Sequence, residues 1–239
     1  LIIKVQEIKY SIICCYYNEI SLLKNKFISF FEEVNNFAFS YEVIICDNNS
    51  NDGTTEYLRE LKNRNFKKLK FIFNDKNLGK GGSIKKAIDL SLGKYIVVFD
   101  LDEYLSKDLI KADKILTDND QIDFLVGTRL GHQKKFIYKK NYYGVRIMTM
   151  LINYVYNTRI SDAAGATKIF KKSIYSNFNI SSSGFDFEFE VLCKFAKQGY
   201  QVTEFPIEYY PRSFEQGKKL RAFKDGSKIL KTILKSYFI

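Results

Sequence analysis

Along the first hundred residues, short runs of β-branched and aromatic side chains alternate with longer stretches whose apolar positions recur every three or four residues. Runs of the first kind fall at 10–15, 41–46, 69–73 and 94–99, and stretches of the second kind at 20–35, 54–63 and 82–92. This alternation predicts βαβ units and a parallel sheet. Each predicted strand ends on a polar cluster: Tyr17-Asn18-Glu19, Asp47-Asn48-Asn49, Asn74-Asp75 and Asp100-Leu101-Asp102. In an open parallel sheet the carboxyl ends of the strands open on one crevice, so these clusters should converge on a single ligand site.

The second half is less regular. A strand is expected at 123–127, a basic aromatic loop at 133–143, a helix at 148–156, a strand at 166–170, a helix at 186–198 and a strand at 201–206. No internal repeat and no low-complexity linker interrupts it, so a single domain is expected over 1–211, with halves 1–104 and 105–211, followed by a segment 212–239 of different character. That segment carries eight basic residues against Glu215 and Asp225, a net +6. Lys224, Lys228, Lys231 and Lys235 are spaced to stack on one stripe of a helix, and Phe223, Leu230, Ile233, Leu234 and Tyr237 fall on another. A basic amphipathic helix of this kind either lies in the headgroup region of a bilayer or packs its apolar side on the domain with its lysines solvated.

Composition narrows the class. The chain has 239 residues, of which 46% are hydrophobic and 27% charged, with 21 Phe and 17 Tyr, so it folds around a core and needs no staples. Four cysteines without a CxxC spacing, two of them the neighbours Cys14 and Cys15 on opposite faces of a strand, read as reduced thiols in a cytosolic compartment. One His cannot build a zinc or copper site, so any metal should be a hard cation held by carboxylates. No apolar stretch approaches the roughly 18 residues that cross a bilayer, and no signal-peptide layout opens the chain. It starts at Leu1 rather than Met, which suits a fragment or processed chain and leaves a transmembrane tail beyond Ile239 open. The net charge of +11 calls for an acidic partner: nucleic acid, an anionic membrane surface or a phosphorylated small molecule.

The strongest local signal is YIVVFDLDEY at 95–104. A buried strand there delivers Asp100 and Asp102 where the chain leaves the sheet, and the two carboxylates can approach one Mg²⁺ or Mn²⁺ with positions left for diphosphate oxygens. Equally, Asp102 can cap the following helix while Asp100 is a solvated strand end. NLGKGGS at 77–83 can present backbone N–H groups to phosphate or serve as a sharp turn; it has neither P-loop nor GxGxxG order. The run KKFIYKK at 134–140 is the feature that suits nucleic acid, although acidic residues occupy the predicted crevice.

In order and spacing, SIICCYYNE, CDNNSNDGT, NLGKGGSIKKAI and VVFDLDEY resemble the nucleotide-sugar half of the family 2 glycosyltransferases. The later segments GTRL (127–130), ISDAAGATKIFKKS (160–173) and 183–226 are similar to the branch that makes polyprenyl-phosphate sugars, the dolichol-phosphate mannosyltransferase-like proteins. The resemblance covers nearly the whole chain. It implies a GT-A fold, a Rossmann-like α/β architecture with a mostly parallel central sheet flanked by helices. It places Tyr17, Glu19, Asp47 and Asn48 against the base and ribose, with Cys15, Gly79, Lys80, Asp100 and Leu101 among the nucleotide-sugar positions. Asp100 and Asp102 match the metal pair for Mg²⁺ or Mn²⁺. Arg129, Lys168, Arg212 and Lys218 match basic positions for donor or acceptor phosphates, Glu190 an acidic position on the following helix, and Asp162 and Arg129 the catalytic positions facing the acceptor. Departures are Cys15 in place of Pro, Asn48 in place of a second Asp, Tyr104 in place of a Gln metal ligand, and an apolar 163–166.

The activity implied is inverting transfer of a sugar from a UDP- or GDP-sugar to a polyprenyl phosphate, peripheral on the cytoplasmic face of a membrane. Its partners would be the donor, the lipid phosphate, the anionic membrane surface and a membrane-anchored subunit, with no nucleic acid. A phosphate acceptor is already anionic and needs no general base; a glycan hydroxyl acceptor, the alternative, would need one, and Asp162 is then the candidate. A basic nucleic-acid-binding module is the alternative of a different class.

Overall fold

The computed structural model describes residues 7–64, 66–101, 106–129, 139–165, 167–209 and 222–238. Four strands, β1 (Tyr10–Tyr16), β2 (Tyr41–Asp47), β3 (Leu69–Phe73) and β4 (Tyr95–Val98), pair in parallel in the order β3-β2-β1-β4. The sheet continues through β6 (Lys168–Lys171) and β5 (Phe124–Thr128) to β7 (Val202–Pro206). β6 runs antiparallel to both β4 and β5, whereas β5 and β7 are parallel. All of β2 and β4 is buried, as expected for strands covered on both faces.

Helices α1 (Ile20–Asn35), α2 (Thr54–Asn63) and α4 (Lys107–Asp118) cover one face, where Leu23, Phe27, Leu58 and Leu109 join Ile12, Cys14, Val43 and Val97. On the other face, α3 (Gly79–Asp89), α5 (Lys139–Tyr156), the short α6 (Lys172–Tyr175), α7 (Phe187–Lys197) and α8 (Ala222–Phe238) pack on Ile13, Ile44, Ile96 and Phe124. Cys14 belongs to the first cluster and Cys15 packs on the second, and all four cysteines are free thiols.

Most elements fall within two residues of expectation. Three do not. α3 starts at Gly79, three residues before the predicted start, because Gly81 and Gly82 are taken into its first turn. α5 begins nine residues early, at Lys139, inside the expected loop 133–143; Gly144 lies within it with nothing near its missing Cβ. α4 and α6 correspond to no predicted element. The tail helix also divides differently: Ile229 and Ile233 are buried against the domain while Leu230 and Leu234 are exposed, so the predicted apolar stripe splits into two faces. Lys228 is not merely solvated but pairs with Asp186 at 2.9 Å.

Two features of this topology build the crevice. The strand order reverses between β1 and β4, which leaves room above their carboxyl ends. Because β6 is reversed, its first residue, Lys168, pairs with Val98 and Val126 near the carboxyl ends of β4 and β5, so the preceding loop lies over the same edge. Asp102, Glu103, Tyr104, residues 134–138 of the basic run, Ala166, Arg212 and Lys218 lie outside the described residues.

Candidate active site

The carboxyl ends of β1 and β2 are stitched into one surface. Asn18 N–H donates to Ser50 Oγ at 2.9 Å, Asn51 N–H to Asn18 Oδ1 at 2.9 Å, Glu19 N–H to Thr54 Oγ1 at 2.9 Å and Ile20 N–H to Asp52 Oδ2 at 3.1 Å. The open N-terminus of α1 is thus capped from the neighbouring turn rather than by its own residues. Asn18 and Asn49 adopt positive φ, which short amide side chains tolerate best after glycine. Asp47 is buried and accepts from Ser50 Oγ and Thr55 Oγ1, both at 2.6 Å, and so shapes the turn it begins. Asn48 accepts from Leu78 N–H at 2.8 Å and donates to Asn77 Oδ1 at 2.9 Å, tying β2 to the glycine-rich turn.

That turn owes its glycines to close packing. A Cβ on Gly79, at φ +77, would lie 2.3 Å from the Ser183 carbonyl oxygen, and one on Gly81 would lie 2.4 Å from Phe187 Cβ. Gly82 N–H donates to Ser183 O at 3.0 Å. The first turn of α3 therefore rests directly on the segment leading into α7 and joins the two halves of the chain. Lys80, between those glycines, is the residue it offers to the crevice.

Lys80 Nζ lies 2.8 Å from Asp100 Oδ2 and 2.8 Å from Glu188 Oε1. The other oxygen of Glu188 is 2.9 Å from Lys168 Nζ, which also donates to the Gly165 carbonyl at 2.5 Å. Lys168 is 1% exposed, a position tolerable for an ammonium only with such partners. Burial opposes ionisation of Glu188, but Lys168 and Lys80 outweigh it and pull its carboxyl down to about 2. For Lys80, burial acts to lower the ammonium and is overcome by Asp100 and Glu188, which raise it.

Across the loop, Asp162 is 1% exposed and receives Arg129 Nε at 2.7 Å and a terminal Arg129 nitrogen at 2.8 Å, together with the N–H groups of Arg129 and Ala164, both at 3.2 Å. Burial alone would raise this carboxyl, but hydrogen bonds and charge from Arg129, with Lys168 nearby, hold it below the usual carboxylate range. Bidentate pairing fixes the guanidinium plane. Asp162 thus orients Arg129, and it is a poor proton acceptor at neutral pH. Gly165 closes the loop onto β5: a Cβ there would lie 1.7 Å from the Gly127 oxygen.

The structure therefore brings Lys80, Asp100, Arg129, Asp162 and Lys168 to one edge of the sheet, next to Asp47 and Asn48 at the end of β2. Cys15 lies in register with Cys46 in the floor between β1 and β2, its thiol pushed up by its hydrogen bond with Cys46 and by burial. Tyr17 and Glu19 follow β1 on the half-buried turn, and Leu101 is buried in the core below Asp100. Glu190 lies elsewhere: it accepts from Ser181 N–H at 3.0 Å and Ser182 N–H at 2.7 Å and pairs with Lys194 at 3.5 Å. Glu188, which sequence reasoning passed over, takes the crevice position. Residues two apart on a helix point to opposite sides, so the motif FEFE signals one inward carboxylate without saying which.

Asp100 Oδ2 and Glu188 Oε1 converge on a single ammonium, which marks this end of the crevice as a place for positive charge beside hard oxygen donors. Such donors suit Mg²⁺ or Mn²⁺. Among the described residues no group of three or more His, Cys, Asp or Glu could hold a metal ion, so Asp100 would share an ion with ligand oxygens, water or residues outside the described set.

Residues 11–178 match the model of glycosyl transferase family 2. Among curated relatives, the dolichyl-phosphate beta-glucosyltransferase of Dictyostelium discoideum is 27% identical over 84% of this chain and 63% of its own length. Glycosyltransferase AglJ of Haloferax volcanii is 24% identical over 77% of this chain and 59% of its own. The chain thus spans less than two thirds of each of these relatives. Among solved structures, glucosyl-3-phosphoglycerate synthase from Mycobacterium tuberculosis, in complex with Mn²⁺, UDP-glucose and phosphoglyceric acid, superposes with a TM-score of 0.71 at 13% identity, over 97% of this chain and 80% of that one. TarS 1-349 of S. aureus, in complex with UDP-GlcNAc, gives a TM-score of 0.62 at 18% identity, over 96% and 66%. The fold is that of the GT-A glycosyltransferases, and the chain belongs to glycosyl transferase family 2.

Proposed function

We propose that this chain transfers a sugar, with inversion, from a UDP- or GDP-sugar to a polyprenyl phosphate at the cytoplasmic surface of a membrane, with Mg²⁺ or Mn²⁺ as cofactor. The observation that carries the proposal is the state of the crevice carboxylates. Asp162 and Glu188 are both held ionised by paired cations, so each is a weak base. An acceptor that arrives as an anion needs no base, only steering and charge compensation. Arg129, oriented by Asp162, and Lys168 offer that compensation on the acceptor side; Lys80 offers it beside Asp100 on the donor side. A divalent ion held by Asp100, with Asp102 as its proposed second carboxylate, would neutralise charge on the departing diphosphate.

Similarity adds support: one relative is named for a dolichyl-phosphate acceptor, and one structural neighbour was crystallised with Mn²⁺ and UDP-glucose. The membrane surface is supported by two neighbouring helices. On α8, Leu230, Leu234 and Phe238 are exposed beside Lys231 and Lys235 along a shallow groove. On α5, Tyr143, Ile147, Met150 and Tyr154, spaced four, three and four residues apart, are all more than 60% exposed. Apolar side chains flanked by lysines suit an anionic interface. No helix among the described residues is long and apolar enough to cross a membrane. Arg212, Lys218 and a membrane-anchored partner subunit remain part of the proposal on the resemblance alone.

The test is a panel of UDP- and GDP-sugars with Mn²⁺, offered a short polyprenyl phosphate or a soluble glycan, with the product anomer read by NMR. Nucleoside diphosphate release with lipid phosphate and an inverted anomer is expected. Transfer to the glycan alone would replace the phosphate acceptor with a hydroxyl, and salt-sensitive binding of single-stranded nucleic acid without donor binding would replace the enzyme.

A further inference from the structure

Two lysines from opposite halves of the molecule meet on one carboxylate. Lys80 belongs to the first turn of α3 and also holds Asp100; Lys168 opens β6 and also holds the Gly165 carbonyl, three residues past Asp162. Each oxygen of Glu188 takes one ammonium, at 2.8 Å and 2.9 Å, and Glu188 itself is 7% exposed. Two ammonium groups brought to one desolvated point repel, and the shared carboxylate is what holds them together, beside the separate partners each keeps. The lysines cannot be set independently, because a shift of either changes its share of the same carboxylate.

We infer that Glu188 is a positioning residue that yokes the donor-side cation Lys80 to the acceptor-side cation Lys168, so that filling one half of the crevice sets the cation of the other. The inference rests on the proposed function only for what each half binds. When phosphate oxygens compete with Asp100 for Lys80, or a metal ion competes with Lys80 for Asp100, the change reaches Lys168 through Glu188, and from Lys168 it reaches the loop that carries Asp162 and Arg129. Glu188 acts here as a fixed anion and not as a proton acceptor, in keeping with its depressed carboxyl.

The experiment is calorimetric titration of the full chain with UDP or GDP plus Mn²⁺, and with a short soluble polyprenyl phosphate, each alone and in the presence of the other. In the wild type each probe should change the affinity of the other by about five-fold or more, equally in both directions. Lys80→Met should weaken mainly the nucleotide, and Lys168→Met mainly the polyprenyl phosphate. Glu188→Gln should weaken both and bring the coupling close to one. Should Glu188→Gln fail to fold, Glu188→Gln with Lys168→Met removes the stranded cation; it should recover the thermal midpoint without recovering the coupling. A folded Glu188→Gln chain that keeps wild-type coupling, coupling restored in the double variant, or binding of both probes without coupling overturns the inference alone. A wild type that binds neither nucleotide overturns the proposed function and the inference with it.

Discussion

Asp162 is saturated by Arg129, and this sets what a substitution there should do. Asp162→Asn keeps the shape but removes the charge that holds the guanidinium plane. The expected outcome is a fall in turnover of about 100-fold with little change in UDP·Mn²⁺ affinity, measured by steady-state kinetics beside calorimetry. A loss confined to nucleotide affinity would contradict the acceptor-side assignment. The same ion pairs set the acid limit of the fold. Burial opposes ionisation of Asp162, Asp186, Glu188 and Glu190, yet Arg129, Lys228 with Ser182, the two crevice lysines, and Ser182 with the Ser181 backbone, respectively, bring all four below their ordinary values. Groups whose folded values are depressed contribute stability that is complete above the unfolded values, about 4 to 4.5, and lost as pH falls through the folded ones. The thermal midpoint should therefore be level from pH 7 to about 4.5 and drop steeply toward pH 2.5; a rise below pH 4 would contradict it. At this scale the sequence was only partly legible. Asp100, Lys80, Arg129, Asp162 and Lys168 could be named because they sit in recognisable motifs. Glu188 could not be told from Glu190, because the choice depends on the rotation of α7 against α3, and that rotation is set by glycine contacts distant in the chain.

The helices were legible where an apolar period stands alone and obscure where glycine interrupts it. Gly79 and Gly144 look alike in the sequence and differ completely in place. Gly79→Ala would force a left-handed φ on an L-residue and drive its Cβ into the Ser183 carbonyl, so a loss of about 2 kcal/mol or more is expected. Gly144→Ala, in an open helix interior, should instead gain about 0.5–1 kcal/mol. Urea midpoints of the two variants should move in opposite directions, and a shared direction would refute the packing described. Helix α8 gives a second contrast. Ile233→Ala removes a fully buried side chain and should cost about 2–4 kcal/mol, whereas Leu234→Ala should lie within about 0.5 kcal/mol of wild type. The stripe drawn from spacing merged these two residues because adjacent positions on a helix differ by only about 100°. Only the packing of α5 and α7 decides which of them is covered.

Across the whole molecule, the alternation of strands and helices was enough to anticipate the parallel half of the sheet and the crevice at its carboxyl edge. The reversal of β6, which carries Lys168 to that edge, has no local signature. Three carboxylates, Asp100, Asp162 and Glu188, face three cations, Lys80, Arg129 and Lys168, and Asp47 lies beside them, so the excess of +11 lies outside the described crevice. Lys231 and Lys235 of α8, beside exposed Leu234 and Phe238, are part of that excess. Sedimentation with phosphatidylserine-containing vesicles should accordingly exceed that with phosphatidylcholine alone, and Leu234→Glu with Phe238→Glu should weaken it about ten-fold without lowering the thermal midpoint. Equal binding to both vesicle types would remove the charge from the account. The most direct measurement is transfer itself: a radiolabelled nucleotide sugar, Mn²⁺ and a short polyprenyl phosphate, with label counted in the organic phase. The account predicts label that appears with wild type and is lost with EDTA or Asp100→Asn. Label undiminished under either condition, or found only in a soluble glycan, would contradict it.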